Sequence, residues 1–135
     1  MGGSLLFKTR VLLTLMSIVP LLVSCVAGNQ ATGVIKGVVT IGPLSPVERP
    51  GEKPVIPCEV YSARKIMIYD KNRITLLKQV DIDCEGQYSV ELKPGIYTVD
   101  INRIGIDRSP DVPEQIEVRT GETIELNVDI DTGIR

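Results

Sequence analysis

Several sets of side chains in this sequence have types and spacing that suit chemistry. Asp81, Asp83 and Glu85 alternate along one stretch, and clustered carboxylates are what a hard cation such as calcium requires. The later ligands of a calcium loop are missing, and aspartate ahead of a turn commonly accepts backbone N–H groups two residues on, so no metal site is assigned. Arg103, Asp107, Arg108 and Asp111 suit an anion or a peptide carboxylate, because a guanidinium forks onto two oxygens. Their plainer use is to pair with one another at a surface. Glu125 and Asp129 share a strand face with Asn127, which fits a solvated face better than acid–base catalysis. Ser45, Ser62, Ser89 and Ser109 have no activating histidine, since the chain contains none, and a serine–histidine hydrolase is excluded. No catalytic residue and no cofactor is assigned.

These residues must be positioned by strands. Tyr88, Val90 and Leu92 alternate with polar neighbours, as do Tyr97, Val99 and Ile101, the period of half-buried strands. Pro94-Gly95 lies between them and suits a turn. A two-residue loop predicts a hairpin with Leu92 facing Tyr97, Val90 facing Val99 and Tyr88 facing Ile101. Pro-Gly favours a type II turn whereas two-residue hairpins use the primed types, so a wider loop is the alternative. Other strands are expected over Val34–Ile41, Arg64–Tyr69 and Ile74–Ile82, then at Ile116–Val118 and Ile124–Ile130. The alternation slips at Leu76-Leu77-Lys78, which predicts a bulge. No helical period of useful length follows the first 30 residues. Residues 42–58 form a long loop with five prolines, which forbid a central strand there, and 102–114 form a second. Seven short strands with evenly spaced turns predict an all-β, two-sheet sandwich. If the strands alternate up and down, loops 42–58, 83–86 and 102–114 gather at one end and the tight turns at the other.

The N-terminus reads as an address. Lys8 and Arg10 precede an apolar run, Val11–Val23, too short to span a bilayer and laid out like a secretory signal. Leu22-Val23-Ser24-Cys25 resembles a bacterial lipobox. The resemblance implies cleavage before Cys25 and acylation of its sulfur and new amino group, palmitate being a typical chain. A signal-anchor helix is the alternative, weakened by Pro20 and Ser24. Two or more acyl chains anchor stably. The expected organisation is a signal at 1–24, a tether at 25–33, a sandwich domain at 34–131 and a tail at 132–135. The chain from Cys25 on holds 13 cations and 17 carboxylates, a net −4, with the cations scattered, so no nucleic-acid partner is expected. Export leaves Cys58 and Cys84 in an oxidising compartment. A bridge between them would clip the proline loop to the sheet; two free thiols are the alternative. The expected location is the cell envelope, facing the periplasm or exterior, on the outer membrane if the cell has two.

Asp81-Ile82-Asp83-Cys84-Glu85-Gly86-Gln87-Tyr88, followed by Leu92-Lys93-Pro94-Gly95-Ile96-Tyr97-Thr98-Val99, resembles the carboxypeptidase regulatory-like domain. Val118–Leu126 is similar to that family's final hairpin. The resemblance implies a transthyretin-like (prealbumin-like) sandwich without catalytic activity, found beside peptidases, in adhesins and as exported lipoproteins. Adhesin repeats of similar fold join a first-strand lysine to a last-strand asparagine beside a buried acid. Here Lys36 and Asn127 both face outward by the alternation, away from any dry acid. The expected function is a lipid-anchored, non-enzymatic accessory module whose loops 42–58 and 102–114 meet a protein or peptide, with Arg49, Tyr61, Arg103, Asp107 and Arg108 as the candidate binding set. The alternative is a carbohydrate-binding or adhesion module with Tyr61 as its platform.

Overall fold

A computed structural model describes residues 31–135 apart from Glu48 and Glu52. The signal segment, Cys25 and the tether through residue 30 lie outside the described residues. In chain order the elements are β1 (Gly33–Gly42), α1 (Cys58–Ser62), β2 (Lys65–Asp70), β3 (Leu76–Asp81), β4 (Gln87–Leu92), β5 (Gly95–Ile101), β6 (Glu114–Val118), β7 (Thr123–Glu125) and β8 (Val128–Asp131). In the first sheet β1 is central, with β4 antiparallel on one side and β7 and β8 parallel on the other. The second sheet runs β3-β2-β5-β6, antiparallel throughout. This is the expected all-β, two-sheet sandwich. Its seventh strand is broken in two at Leu126-Asn127, so β7 and β8 pair with successive stretches of β1. The helical turn α1, the one helix among the described residues, was not foreseen: five residues are too few to show a helical period.

The core follows the alternation. Ile35, Val39 and Ile41 of β1 meet Ile66 and Ile68 of β2, Val99 and Ile101 of β5, and Val128 and Ile130 of β8, all buried. Burying each such side chain contributes roughly 1.5–3 kcal/mol. Tyr88, Val90 and Leu92 also point inward. The predicted hairpin, however, does not form. β4 pairs with β1, placing Val90 opposite Ile35, whereas β5 pairs with β2 and β6, placing Val99 opposite Ile68. Pro94-Gly95 thus crosses from one sheet to the other. A period of two states which side of a strand is apolar but not which strand lies next to it, and the turn's mismatch with a tight hairpin finds its outcome here. The predicted bulge is present: Ile68 faces Lys78 and Tyr69 faces Leu76, leaving Leu77 unpaired.

The break in the seventh strand fixes the middle of β1. The Leu126 amide donates to the Lys36 carbonyl at 2.9 Å, and the Val38 amide donates to Asn127 Oδ1 at 2.9 Å. The Asn127 side chain thus replaces the missing backbone acceptor. Lys36 and Asn127 are both exposed, as the alternation required. The Tyr88 hydroxyl donates to the Leu126 carbonyl. Burial pushes this phenol well above its ordinary 10.0. Because the fold favours the protonated form, its contribution to stability is complete below about pH 10 and is lost as the pH rises further. Urea unfolding followed from about pH 8 to about pH 11 should show stability falling above pH 10. In Tyr88→Phe that alkaline decline should be shallower, although the lost hydrogen bond lowers stability at neutral pH by about 1 kcal/mol.

Candidate functional site

Strand directions gather loops 42–57, 82–86 and 102–113 at one end, and contacts bind them together. Cys58 and Cys84 form a disulfide with Cα atoms 4.6 Å apart. The bridge joins α1, which closes the proline loop, to the turn before β4. That turn is built by Asp83, whose Oδ1 accepts the amides of Glu85 at 2.9 Å and Gln87 at 2.8 Å. Asp81 instead pairs with Lys65. Among the described residues no group of three His, Cys, Asp or Glu side chains is placed to hold a metal ion. Gly86 follows at φ +81, where its carbonyl accepts the Val39 amide at 2.7 Å and the Tyr61 ring lies over its Cα. Replacing both cysteines by serine should cost up to about 3.5 kcal/mol for a 26-residue closure on the chain-entropy account. Chemical denaturation measures the loss, and limited proteolysis should cut first in the proline loop.

Tyr61 is where expectation fails. Its side chain belongs to the core, because α1 turns it inward against Gly86, and it offers no platform to a sugar. The sequence presented it as a tyrosine at a loop end, and the unforeseen helical turn reversed its direction.

The 102–113 loop is held by ions and amides. Arg64 Nε donates to Asp107 Oδ2 at 2.8 Å, Arg64 Nη2 reaches Oδ1 at 3.3 Å, and Arg64 Nη1 caps the Val60 carbonyl of α1 at 3.0 Å. Both partners are largely dry, with side-chain exposures of 12% and 3%. Asn102 joins the same seam: its Oδ1 accepts the Lys65 amide at 2.7 Å and its Nδ2 donates to the Ala63 carbonyl at 3.2 Å. Arg103 donates to the Asp107 carbonyl at 3.4 Å and to Asp100 Oδ1 at 3.3 Å. Asp100, fully buried on β5, is also gripped by Arg73, a residue at φ +58. Arg108 exchanges backbone hydrogen bonds with Asp131 at 3.0 and 2.7 Å, and Asp111 Oδ2 accepts the Asp129 amide at 2.8 Å. The Gly133 amide, then Arg135 and Arg108, hold the Asp131 carboxyl below its usual range. Next to this bridge, Thr132 donates its amide to the Gly42 carbonyl and its hydroxyl to Pro43, so both long loops meet at the end of β8.

Of the candidate binding set, then, Asp107 is consumed in a buried pair, Arg103 and Arg108 brace the loop while keeping part of their guanidinium surface exposed, and Arg49 stands exposed in the proline loop. This end also presents four exposed aliphatic side chains. Val55 is 91% exposed, Val47 80%, Ile106 71% and Ile104 41%. They went unremarked in the sequence, where the only sign is that they stand among Pro, Gly and charged residues without strand alternation. Arg64 and Asp100 were also missed; the sign for Asp100 is a lone acid inside Val99-Asp100-Ile101.

A separate groove of about 610 Å³ lies on the outer face of the first sheet, lined by Lys36, Val38, Gln87, Ser89 and Glu125 with residues 81–83 at its rim. Lys36 and Glu125 are register neighbours, and Asp81 and Asp83 add carboxylates at the rim, so the groove carries an acidic excess beside the apolar surface of Val38 and Tyr88.

No family model and no curated protein matches the chain. Solved structures resemble it at low identity. A minor pilin of the Gram-positive pathogen Streptococcus agalactiae is 14% identical over 76% of this chain and 45% of the pilin, with a TM-score of 0.49. The Bacillus anthracis TIE protein is 19% identical over 75% of this chain and 16% of its own, with a TM-score of 0.48. A DUF3823 family protein of Parabacteroides merdae is 19% identical over 76% of this chain and 47% of its own, with a TM-score of 0.44. The chain spans less than half the length of each of these proteins.

Proposed function

We propose that this chain is a non-enzymatic accessory module of the cell envelope, tied to a membrane through a lipid on Cys25, whose far end docks on a protein or peptide partner. The carrying observation is the set of aliphatic side chains Val47, Val55, Ile104 and Ile106, exposed on two loops that a disulfide and a buried ion pair hold in place. Aliphatic groups displayed on braced loops bind with little ordering cost, and an apolar anchor ringed by polar groups is how protein interfaces concentrate their energy. Arg49, Arg103 and Arg108 supply the polar rim, suited to carboxylates. Val55→Asp combined with Ile106→Asp should leave folding intact and cut partner recovery from solubilised membranes at least about tenfold, a modest fraction of a hot-spot contribution. Replacing residues 43–57 by a short Gly-Ser linker should do the same; unchanged recovery in both variants refutes the reading. Intact mass of the exported protein reads acylation of Cys25 separately.

A further inference from the structure

The end opposite the docking loops carries its own exposed aliphatic groups. Ile74 is 80% exposed at the β2–β3 turn, and Leu76, Leu77 and Ile96 are exposed nearby in the fold. Leu77 and Lys78 line a groove of about 330 Å³ with Lys93, Tyr97 and Thr32, so this patch adjoins the start of β1. The Thr32 carbonyl accepts the Gly121 amide at 2.9 Å, which places the β6–β7 turn there too. The described chain therefore begins within the patch, and six residues, 25–30, separate it from described residue 31. So few residues reach about 20 Å at most, so a lipid on Cys25 would hold this end against the bilayer.

Charge agrees with that orientation. The chain from Cys25 on has four more carboxylates than cations. At this end Lys71, Arg73, Lys78, Lys93 and Arg119 face Asp70, Glu91, Glu117 and Glu122, with Arg73 turned onto the buried Asp100. Asp70 is turned onto the Ile74 and Thr75 amides, and Glu117 pairs with Arg119. The acidic excess thus lies away from this end, and three lysines accompany the aliphatic groups. Lys71 and Lys93 stand on the turns themselves.

We propose that this face docks on an anionic lipid surface, Ile74 entering the headgroup layer and Lys71, Lys78 and Lys93 meeting lipid phosphates, so that the sandwich stands upright with its loops outward. The proposal rests on the lipid-anchored reading of Cys25 for its setting, and its test is independent of acylation. Among the described residues the core runs from Ile35 to Ile130, and a chain beginning at residue 31 keeps all of that core. That domain, held by an N-terminal histidine tag on chelating lipid, is placed on phosphatidylcholine vesicles with and without phosphatidylglycerol. The chain has no Trp, so Ile74→Trp and Val55→Trp each install a single fluorophore at opposite ends. On anionic vesicles Ile74→Trp should shift to the blue and be quenched by brominated acyl chains, while Val55→Trp stays as in solution. Changing Lys71, Lys78 and Lys93 to Gln should lower the docked-to-undocked ratio on the order of 100-fold, each lysine contributing several-fold near an anionic surface. Three results each overturn the proposal: Ile74→Trp unmoved by anionic vesicles, equal quenching at Val55→Trp, or a blue shift of Ile74→Trp without vesicles that grows with protein concentration and marks contact between copies.

Discussion

Gly37→Ala is expected to cost at least about 3 kcal/mol, more than most overpacking substitutions. A Cβ at this position would lie 1.9 Å from the Leu126 carbonyl oxygen, 2.6 Å from its carbon and 3.1 Å from the Tyr88 ring. The first two are backbone atoms and cannot swing aside. Leu126 is pinned by the hydrogen bond its amide donates to the Lys36 carbonyl and by the Tyr88 hydroxyl, so the strand break must move as a unit. Moving it also withdraws Asn127 from the Val38 amide. The contrast is Gly95→Ala, where the new Cβ meets only the Tyr97 ring at an ordinary 3.6 Å and the change should be neutral or stabilise by up to about 1 kcal/mol through the unfolded chain. Urea unfolding of both variants measures the difference, and equal stabilities would refute the close packing of strand break and β1.

The second large effect is at Arg64. Arg64→Met leaves the Asp107 carboxylate buried without its counter-ion, and breaking such a pair costs about 3–5 kcal/mol. The same change releases the Val60 carbonyl and removes the loop's buried ionic anchor, leaving the Asn102, Arg108 and Asp111 contacts. Arg64→Met with Asp107→Leu should recover most of the loss, because an apolar pair of similar volume has no stranded charge. A double-mutant cycle by thermal unfolding checks both statements. Partner recovery should fall in Arg64→Met even at temperatures where the sandwich remains folded, since the segment carrying Ile104 and Ile106 then loses its anchor at Asp107.

The inward faces were legible because each strand alternates: Ile35, Ile66, Ile68, Val99, Ile116 and Val128 are where the pattern puts them. Neighbours were not legible. Tyr88–Leu92 and Tyr97–Ile101 look like two arms of a hairpin, yet they lie in different sheets, because alternation constrains a strand's face and says nothing of its partners. The break at Leu126-Asn127 was hidden for a related reason. Ile124, Leu126, Val128 and Ile130 keep their period of two across it, and only the Asn127 amide, reaching back to β1, reveals the offset. At the candidate site, charged residues were visible as a cluster, but which of them face each other depends on long-range closure. Asp107 found Arg64 from β2's approach rather than Arg103 or Arg108, a pairing that no local spacing encodes. The two cysteines fell at the same end by strand count, and their bridge, expected from the exported compartment rather than from geometry, is formed.

On the proposed function, the braced loops are the end that meets another molecule. A photo-crosslinking side chain placed in turn at Val55, Ile106 and Gln79, in the full chain expressed in its own cell envelope, tests this directly. One and the same adduct is expected from Val55 and Ile106 and none from Gln79, which is exposed on β3. Absence of an adduct at both loop positions, or the same adduct from Gln79, would contradict it.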